Sequence, residues 1–358
     1  MKKAQHDSKQ LDKQRFNAAV VGFGLSGKVF HTPYIQQHPG FELYSIVSKG
    51  NEAQKKYPKT IVFPHYEDVI NDPAIDLVVL CTPHNLHVSQ AIEAMQAGKD
   101  VVIEKPVALT SSDILLLIEE SKKTKRQFFP YHNRRWDGDF LTVKQLIRDG
   151  YLGSVHDYES RFDRFSPSVS RAEWRYSDHS AGGTLFDLGP HLIDQAIHLF
   201  GKPDMVHCLL FRQRPESKSN DGFDLRLLYP NRVVTLKAGV FVKSPGPRFL
   251  IHGTEGSFIK YGLDVQESRL KRGVLPDSKI IGKEPANMHG ILLSPHYDPS
   301  EAKKFPTLNG NYMKFYDGVY EALKHKTPHE VSQEDALLVI KVIEAAVKSN
   351  ENQQHIQL

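Results

Sequence analysis

The stretch Asn17-Ala18-Ala19-Val20-Val21-Gly22-Phe23-Gly24-Leu25-Ser26-Gly27 decides the fold. A short apolar run leads directly into glycines spaced Gly-x-Gly-x-x-Gly, and a helical stretch follows. This is the form of the first turn of a dinucleotide-binding βαβ unit. Each glycine has its own task. Gly22 permits the tight turn, Gly24 lets the backbone approach a pyrophosphate, and Gly27 allows the helix to pack closely on the strand. The free N–H groups and positive dipole end of that helix suit phosphates. Gly22, Phe23, Gly24, Leu25, Ser26 and Gly27 are therefore the first candidate cofactor-binding residues.

Downstream, short apolar runs alternate with helical segments, the pattern of parallel strands joined by crossovers. Strands are expected at Ala18–Val21, Leu43–Val47, Ile61–Phe63, Leu77–Cys81, Val101–Ile103 and Gln127–Tyr131, with helices over Leu86–Ala97 and over Ser111–Thr124 behind Thr110 as N-cap. Right-handed crossovers make this a doubly wound sheet whose ligand crevice lies at the carboxyl ends of the strands. After about His132 the rhythm changes. The Phe140–Asp149 helix is followed by strand-like runs at Val155–Phe165, Met205–Phe211, Phe223–Tyr229, Val233–Phe241, Phe249–His252 and Ser257–Tyr261. One strong helix, Thr184–Phe200, interrupts them, and helices over Tyr312–Lys324 and Gln333–Lys348 close the chain; residues 273–311 read as a long loop. Few crossovers here mean a mostly antiparallel sheet. The expected organisation is a polar tail over residues 1–16, a dinucleotide-binding Rossmann domain over 17–131 and a substrate-binding and oligomerisation α+β domain over 132–358.

Composition narrows the class. With 40% apolar and 25% charged residues over 358 positions the chain is an ordinary globular protein of two-domain length. Its 46 basic and 42 acidic residues are interspersed, so the net charge of +4 forms no basic stripe and nucleic acid is not an expected partner. The N-terminal tail lacks the apolar run of a secretory signal, and no window approaches the roughly 18 apolar residues of a membrane span. Cys81 and Cys208 lie in apolar runs without metal-ligand spacing, so both read as buried thiols, no metal is expected, and a reducing, cytoplasmic location fits.

Four further segments carry chemistry. At the end of the second strand, where an acid would bind the ribose 2′-hydroxyl of NAD, Ser48-Lys49-Gly50-Asn51 puts a hydroxyl and a cation, and no acid appears until Glu52. That favours the 2′-phosphate of NADP, with NAD as the alternative. Cys81-Thr82-Pro83-His84-Asn85-Leu86-His87 follows the fourth strand at the same edge. Thr82 and Pro83 would shape the loop beside the nicotinamide ribose, Asn85 would cap the next helix, and His87 joins the cofactor candidates; a plain turn explains the segment as well. Glu104-Lys105-Pro106 ends the fifth strand, where a lysine beside a cationic nicotinamide is pushed toward its neutral form and can move a proton. Pro106 fixes the turn, and Glu104 pairs with Lys105 or takes a ribose hydroxyl.

In Gly182 to Asp194, Asp187 and His191 stand four apart on one helix face, a natural proton relay, with Asp194 on or beside it. His191 is the first candidate for the base and Lys105 the alternative. Asn133, Arg134 and Trp136 near residue 132, Arg161, Asp163 and Arg164 on a later strand, and Trp174 supply the amide, guanidinium, carboxylate and aromatic groups that hold a polyol.

The glycine loop, Glu104-Lys105-Pro106 and the Gly183 to His191 segment, in this order, resemble the glucose-fructose oxidoreductase, inositol dehydrogenase and rhizopine catabolism (Gfo/Idh/MocA) family from about Asn17 to the last helix. Gly24-Leu25-Ser26-Gly27-Lys28-Val29-Phe30-His31, His132 to Asp137 and Ser257 to Gly262 look like its NADP-dependent scyllo-inositol dehydrogenase branch. The resemblance implies a Rossmann domain followed by an open-faced sheet domain, homodimers or homotetramers formed through that sheet, and catalytic Lys105, Asp187 and His191. It also implies that Tyr312 reaches toward the nicotinamide end. The activity so implied is hydride transfer between NADP and a ring carbinol of a polyol or sugar, scyllo-inositol or an inosose first. A dinucleotide sensor or scaffold without turnover, and a glycosidase that retains its cofactor, are the alternatives on the same fold.

Overall fold

The computed structural model describes residues 14–168, 182–296 and 302–358. Trp174 and most of the N-terminal tail lie outside the described residues. Two compact units are present. One takes the described residues up to Asn133 with Gln266–Ile281 and Asn311–Ala336; the other takes the described residues of Arg134–Val265, Gly282–Gly310 and Leu337–Leu358.

The first unit is built on strands β1 (Phe16–Val21), β2 (Phe41–Val47), β3 (Ile61–Phe63), β4 (Leu77–Leu80), β5 (Asp100–Ile103) and β6 (Phe128–Pro130), in the order β3-β2-β1-β4-β5-β6. Every neighbouring pair is parallel. Parallel strands covered on both faces need unbroken apolar runs, and Val20, Val78, Val79, Val101 and Val102 are fully buried. The order reverses between β1 and β4, which puts the ligand crevice at the end of β1, at the glycine loop. Thr110 caps the Ser111–Thr124 helix by accepting from the Asp113 amide at 3.1 Å. Asn85 caps nothing: it lies inside a 3₁₀ turn, His84–Leu86, and the following helix His87–Gln96 starts without a side-chain cap. The 3₁₀ turn supplies the first bonds that a cap would have made. Two helices over Glu52–Lys56 and Tyr66–Asn71 are too short to announce themselves by periodicity.

The second unit holds β7 (Val155–Arg161), β8 (Met205–Phe211), β9 (Gly222–Tyr229), β10 (Arg232–Ala238), β11 (Phe249–Gly253), β12 (Ser257–Lys260), β13 (Gly290–Leu293), β14 (Lys303–Phe305) and β15 (Ile356–Gln357). They form one sheet, β14-β13-β12-β11-β7-β10-β9-β8-β15, antiparallel except for β7 with β10. Residues 273–311, expected to be loop, thus contribute two strands. At four and three residues they are too short for a period of two to show, and pairing of β13 with β12 and of β14 with β13 defines them. The expected strands Val155–Phe165 and Val233–Phe241 end earlier, at Arg161 and Ala238, and their continuations stay joined by backbone hydrogen bonds such as Arg164 to Gly239 at 2.9 Å and by a Phe165–Phe241 bridge.

One sheet face, with Tyr158, Ser160, Leu225, Leu227, Val234 and Leu236 buried, packs on the Thr184–Phe200 helix. The other face carries Glu159, Arg161, Asp224 and Lys237 in ion pairs of 2.6–3.5 Å, and exposed Leu209, Phe211 and Val233.

Candidate functional site

The three glycines are distinct in space as well as in spacing. Gly22 has φ +100°, and a Cβ there would stand 2.8 Å from the Cys81 carbonyl oxygen. A Cβ on Gly27 would stand 2.2 Å from the Gly22 carbonyl oxygen. Gly24 is different: a Cβ would meet nothing within 4 Å, so its backbone is open to a ligand. Turn, open approach and close packing are the requirements of a bound pyrophosphate, and the residues present fit a dinucleotide. Leu25 is exposed, whereas Phe23 is buried edge-on against Tyr57 with the Lys28 ammonium 5.4 Å from its ring centroid. The helix after the loop opens with a π-helical turn, Gly27–His31, before the α-helix Thr32–Gln37.

At the end of β2, Ser48 is tied by its amide to the Phe63 carbonyl at 3.0 Å, and Lys49 is exposed. The first acid after them, Glu52, lies 2.5 Å from the Lys28 ammonium. Lys28 was not singled out by sequence reasoning, because nothing in linear spacing joins the glycine loop to Glu52.

In the loop after β4, the Thr82 hydroxyl donates to Gln90 at 2.7 Å, and Pro83 accepts the Leu86 amide at 2.9 Å to close the 3₁₀ turn. His87 is buried. Its Nδ1 and Nε2 face the Pro106 and Thr82 carbonyls at 2.9 and 3.0 Å, so the ring pins these two loops together. Burial pushes its pKa down, against the pull of both carbonyls and of Glu104.

After β5, Lys105 is half-buried and its bond to Pro106 is cis. Glu104 turns inward. Its Oε1 accepts from the Ser26 hydroxyl and lies 3.1 Å from His31 Nε2, and its Oε2 accepts the Lys105 amide at 2.9 Å. Burial by itself would raise this carboxyl, but the His31 and Ser26 hydrogen bonds with the His31 and Lys105 charges outweigh it and hold the pKa at about 2. Tyr312 is buried against the rings of Phe30 and Tyr34, and its amide donates to Gln266.

The second unit carries the remaining candidates. The Thr184–Phe200 helix begins at Gly183, φ +99°, where a Cβ would strike the Asn220 carbonyl oxygen at 2.4 Å. Asn220 accepts the Thr184 amide with its carbonyl and the Leu185 amide with its side chain, at 2.8 and 2.9 Å. A cap supplied 35 residues downstream leaves no local signal in the sequence. Asp187 keeps 18% side-chain exposure and lies 3.8 Å from the Arg164 guanidinium, itself half exposed. His191, one turn on, is buried edge-on to Phe162.

Asp194 is no part of an accessible face: it forms a two-point pair with Arg135 at 2.6 and 2.9 Å, both side chains 2% exposed or less. Gln195 joins the same interior, accepting from Arg248 at 2.7 Å and donating to the Arg134 carbonyl at 2.8 Å. The Arg134 guanidinium lies 5.0 Å from the Phe162 ring centroid and 3.4 Å from Asp137. Arg161 pairs with Glu159 at 2.6 Å and with Asp163 at 3.6 Å. Burial raises Asp163 despite that cation. Asn133 and Trp136 are buried.

Residues 16–132 match the model of an oxidoreductase family, NAD-binding Rossmann fold, and residues 144–358 match the C-terminal α/β domain of the same family. The chain belongs to the Gfo/Idh/MocA oxidoreductase family. It is 37% identical over 340 residues, 95% of each chain, to scyllo-inositol 2-dehydrogenase (NADP(+)) of Bacillus subtilis strain 168. It is 38% identical to an uncharacterized oxidoreductase of Escherichia coli K12, over 92% of this chain and 95% of the relative. The solved structure of a Bacillus subtilis oxidoreductase superposes with a TM-score of 0.92 at 36% identity, covering 97% of this chain and 99% of the other. The protein is thus an NAD(P)-binding oxidoreductase of this family, with the fold expected from its sequence: a parallel Rossmann sheet and a second, mostly antiparallel one. Among the described residues no helix is long and apolar enough to cross a membrane.

Proposed function

We propose that the protein is an NADP-preferring dehydrogenase acting on a ring carbinol of a polyol or sugar, with scyllo-inositol and its inosose as the first candidates. The observation that carries this reading is the division of labour on the Thr184–Phe200 helix. Asp194 is sealed against Arg135, whereas Asp187, one turn before His191, keeps contact with solvent. An acid left accessible beside a histidine is what proton transfer at a carbinol requires.

The dinucleotide, when bound, supplies the hydride acceptor or donor. Gly22, Gly24 and Gly27 would take the pyrophosphate, and Ser48 and Lys49 the 2′-phosphate. Glu52 already has a cation, so no uncompensated carboxylate at the end of β2 repels a phosphate. His191 takes the hydroxyl proton as the carbonyl develops, Asp187 steadies the imidazolium, and Lys105 is assigned the role of orienting donor in the same reaction. The name of the Bacillus relative, which specifies both scyllo-inositol and NADP, supports the choice of substrate and cofactor. Arg161, Asp163 and Arg164 are proposed to hold the other hydroxyls. The free thiols Cys81 and Cys208 suit a reducing compartment such as the cytoplasm.

The test is absorbance of reduced nucleotide across a panel of inositols, inososes and aldoses, each with NADP and NAD. Turnover of scyllo-inositol with NADP is expected; no absorbance change with any member would overturn the reading. A homodimer or homotetramer through the outward face of the second sheet is part of the proposal, since Leu209, Phe211 and Val233 lie exposed there. Light scattering should give a multiple of 40.6 kDa at micromolar concentration, and the monomer mass would refute it.

A further inference from the structure

Glu104 is shared. One of its oxygens takes Ser26 of the glycine loop and the other takes the amide of Lys105, so a single carboxylate clips the phosphate-binding loop to the loop that carries the lysine. His31 stands behind it. The ring is fully buried at the end of the π-helical turn, its Nε2 3.1 Å from Glu104 Oε1 and its Nδ1 2.6 Å from the Tyr316 hydroxyl. The Tyr131 ring packs 4.1 Å away, centroid to centroid. An ionised carboxylate accepts only, so Nε2 donates to Glu104, while Nδ1 shares a hydrogen bond with the Tyr316 hydroxyl. Tyr316 thus orients His31, and His31 orients Glu104.

We propose that His31 is a positioning residue of the reaction, which by donating to Glu104 keeps this carboxylate charged and so holds the Ser26 and Lys105 loops together. The inference rests on the reading of Lys105 as catalytic.

Opposing effects compete at Glu104. Burial favours the neutral acid. Its opponents are the hydrogen bonds from His31 and Ser26 and the charges of His31 and Lys105. The other groups facing Glu104 add no cation: Cys81 at the end of β4, Tyr131 and Tyr316 are held in their neutral forms, mainly by burial, and burial also lowers His87. Without His31 the balance tips toward the protonated acid, which has fewer acceptor sites than its two loops need.

The experiment compares variants with wild type as a ratio of turnover at each pH from 5 to 9, so that limbs common to both cancel. For His31→Phe the ratio should fall at least tenfold between pH 8.5 and 5.5. In His31→Gln, whose amide can still donate to the carboxylate, it should stay flat. In Glu104→Gln it should be low and flat, because nothing is left to titrate. The dissociation constant of reduced nucleotide, followed by fluorescence in the protein without substrate, should rise toward acid in His31→Phe in parallel. A ratio for His31→Phe that is flat with pH overturns the proposal, since a purely structural loss would be equal at every pH. If His31→Phe does not fold, Ser26→Ala removes the second donor from the same oxygen and must fall in the same direction; a flat ratio there also overturns it. Lys105→Met separates the two readings. Its retention of turnover sinks the catalytic assignment, whereas its loss beside a flat His31→Phe ratio sinks only the role of His31.

Discussion

Glu104 and Asp187 are both carboxylates beside residues proposed to move protons, and they are held in opposite ways. Glu104 has 13% side-chain exposure, is engaged by Ser26, His31 and the Lys105 amide, and sits at a pKa of about 2. Asp187 has a 3.8 Å contact with a half-exposed arginine and an edge open to solvent. A carboxylate held by donors from two loops shapes its surroundings, and one beside a half-exposed arginine with a solvent-facing edge is placed to answer a substrate. Asp194, on the same helix as Asp187, falls with Glu104 in this division, so position on a helix does not by itself tell a scaffold acid from a working one.

The comparison is most exposed to failure at the proton-handling residues. Lys105→Met and His191→Ala should each lower turnover by about 10²–10⁴-fold, the usual worth of a positioned acid or base. Nucleotide binding by fluorescence should change little in His191→Ala. Asp187→Asn should lose turnover in the same sense; if it turns over like wild type, Asp187 is scaffold too and the contrast with Glu104 collapses. Next in size is Arg135→Met, which strands Asp194 as a buried uncompensated charge. A loss of about 3–5 kcal/mol in urea unfolding is expected, and a loss under 1 kcal/mol would mean that Asp194 is not sealed as described.

Glu104 also predicts a pH dependence. Its pKa is lowered on folding, from 4.5 to about 2, so its stabilisation is present above the unfolded value and is lost as pH falls through the folded one. The stability difference between wild type and Glu104→Gln should shrink by roughly 3 kcal/mol between pH 5 and pH 2. Denaturant unfolding at the two pH values checks it, and a constant difference would show that the donors do not hold the charge. The smallest effect is expected at the cofactor end. Lys49→Asp should erase a preference for NADP worth about 1.5–3 kcal/mol, or one to two decades in kcat/KM. Equal efficiency with both nucleotides in the unmutated enzyme would remove the basis for this prediction.

The sequence by itself determined what rests on neighbours in the chain. Gly22, Gly24 and Gly27 announce a turn because their spacing is the turn, and the buried parallel strands announce themselves because both faces need apolar side chains. Asp187 and His191 share a face because helical geometry alone places residues four apart together. The tertiary structure decided everything that joins distant positions. Residue 31 meets 104 and 316, Lys28 meets Glu52, Asn220 caps a helix 35 residues earlier, and Arg135 takes Asp194 out of the accessible set. The two short strands within residues 273–311 belong with these, since hydrogen bonds to a neighbour define so short a strand more than its own side chains do. Local propensity acts within a few residues, but the charge state of a buried carboxylate is set by whichever donors the fold brings against it, and those are recorded nowhere near it in the chain.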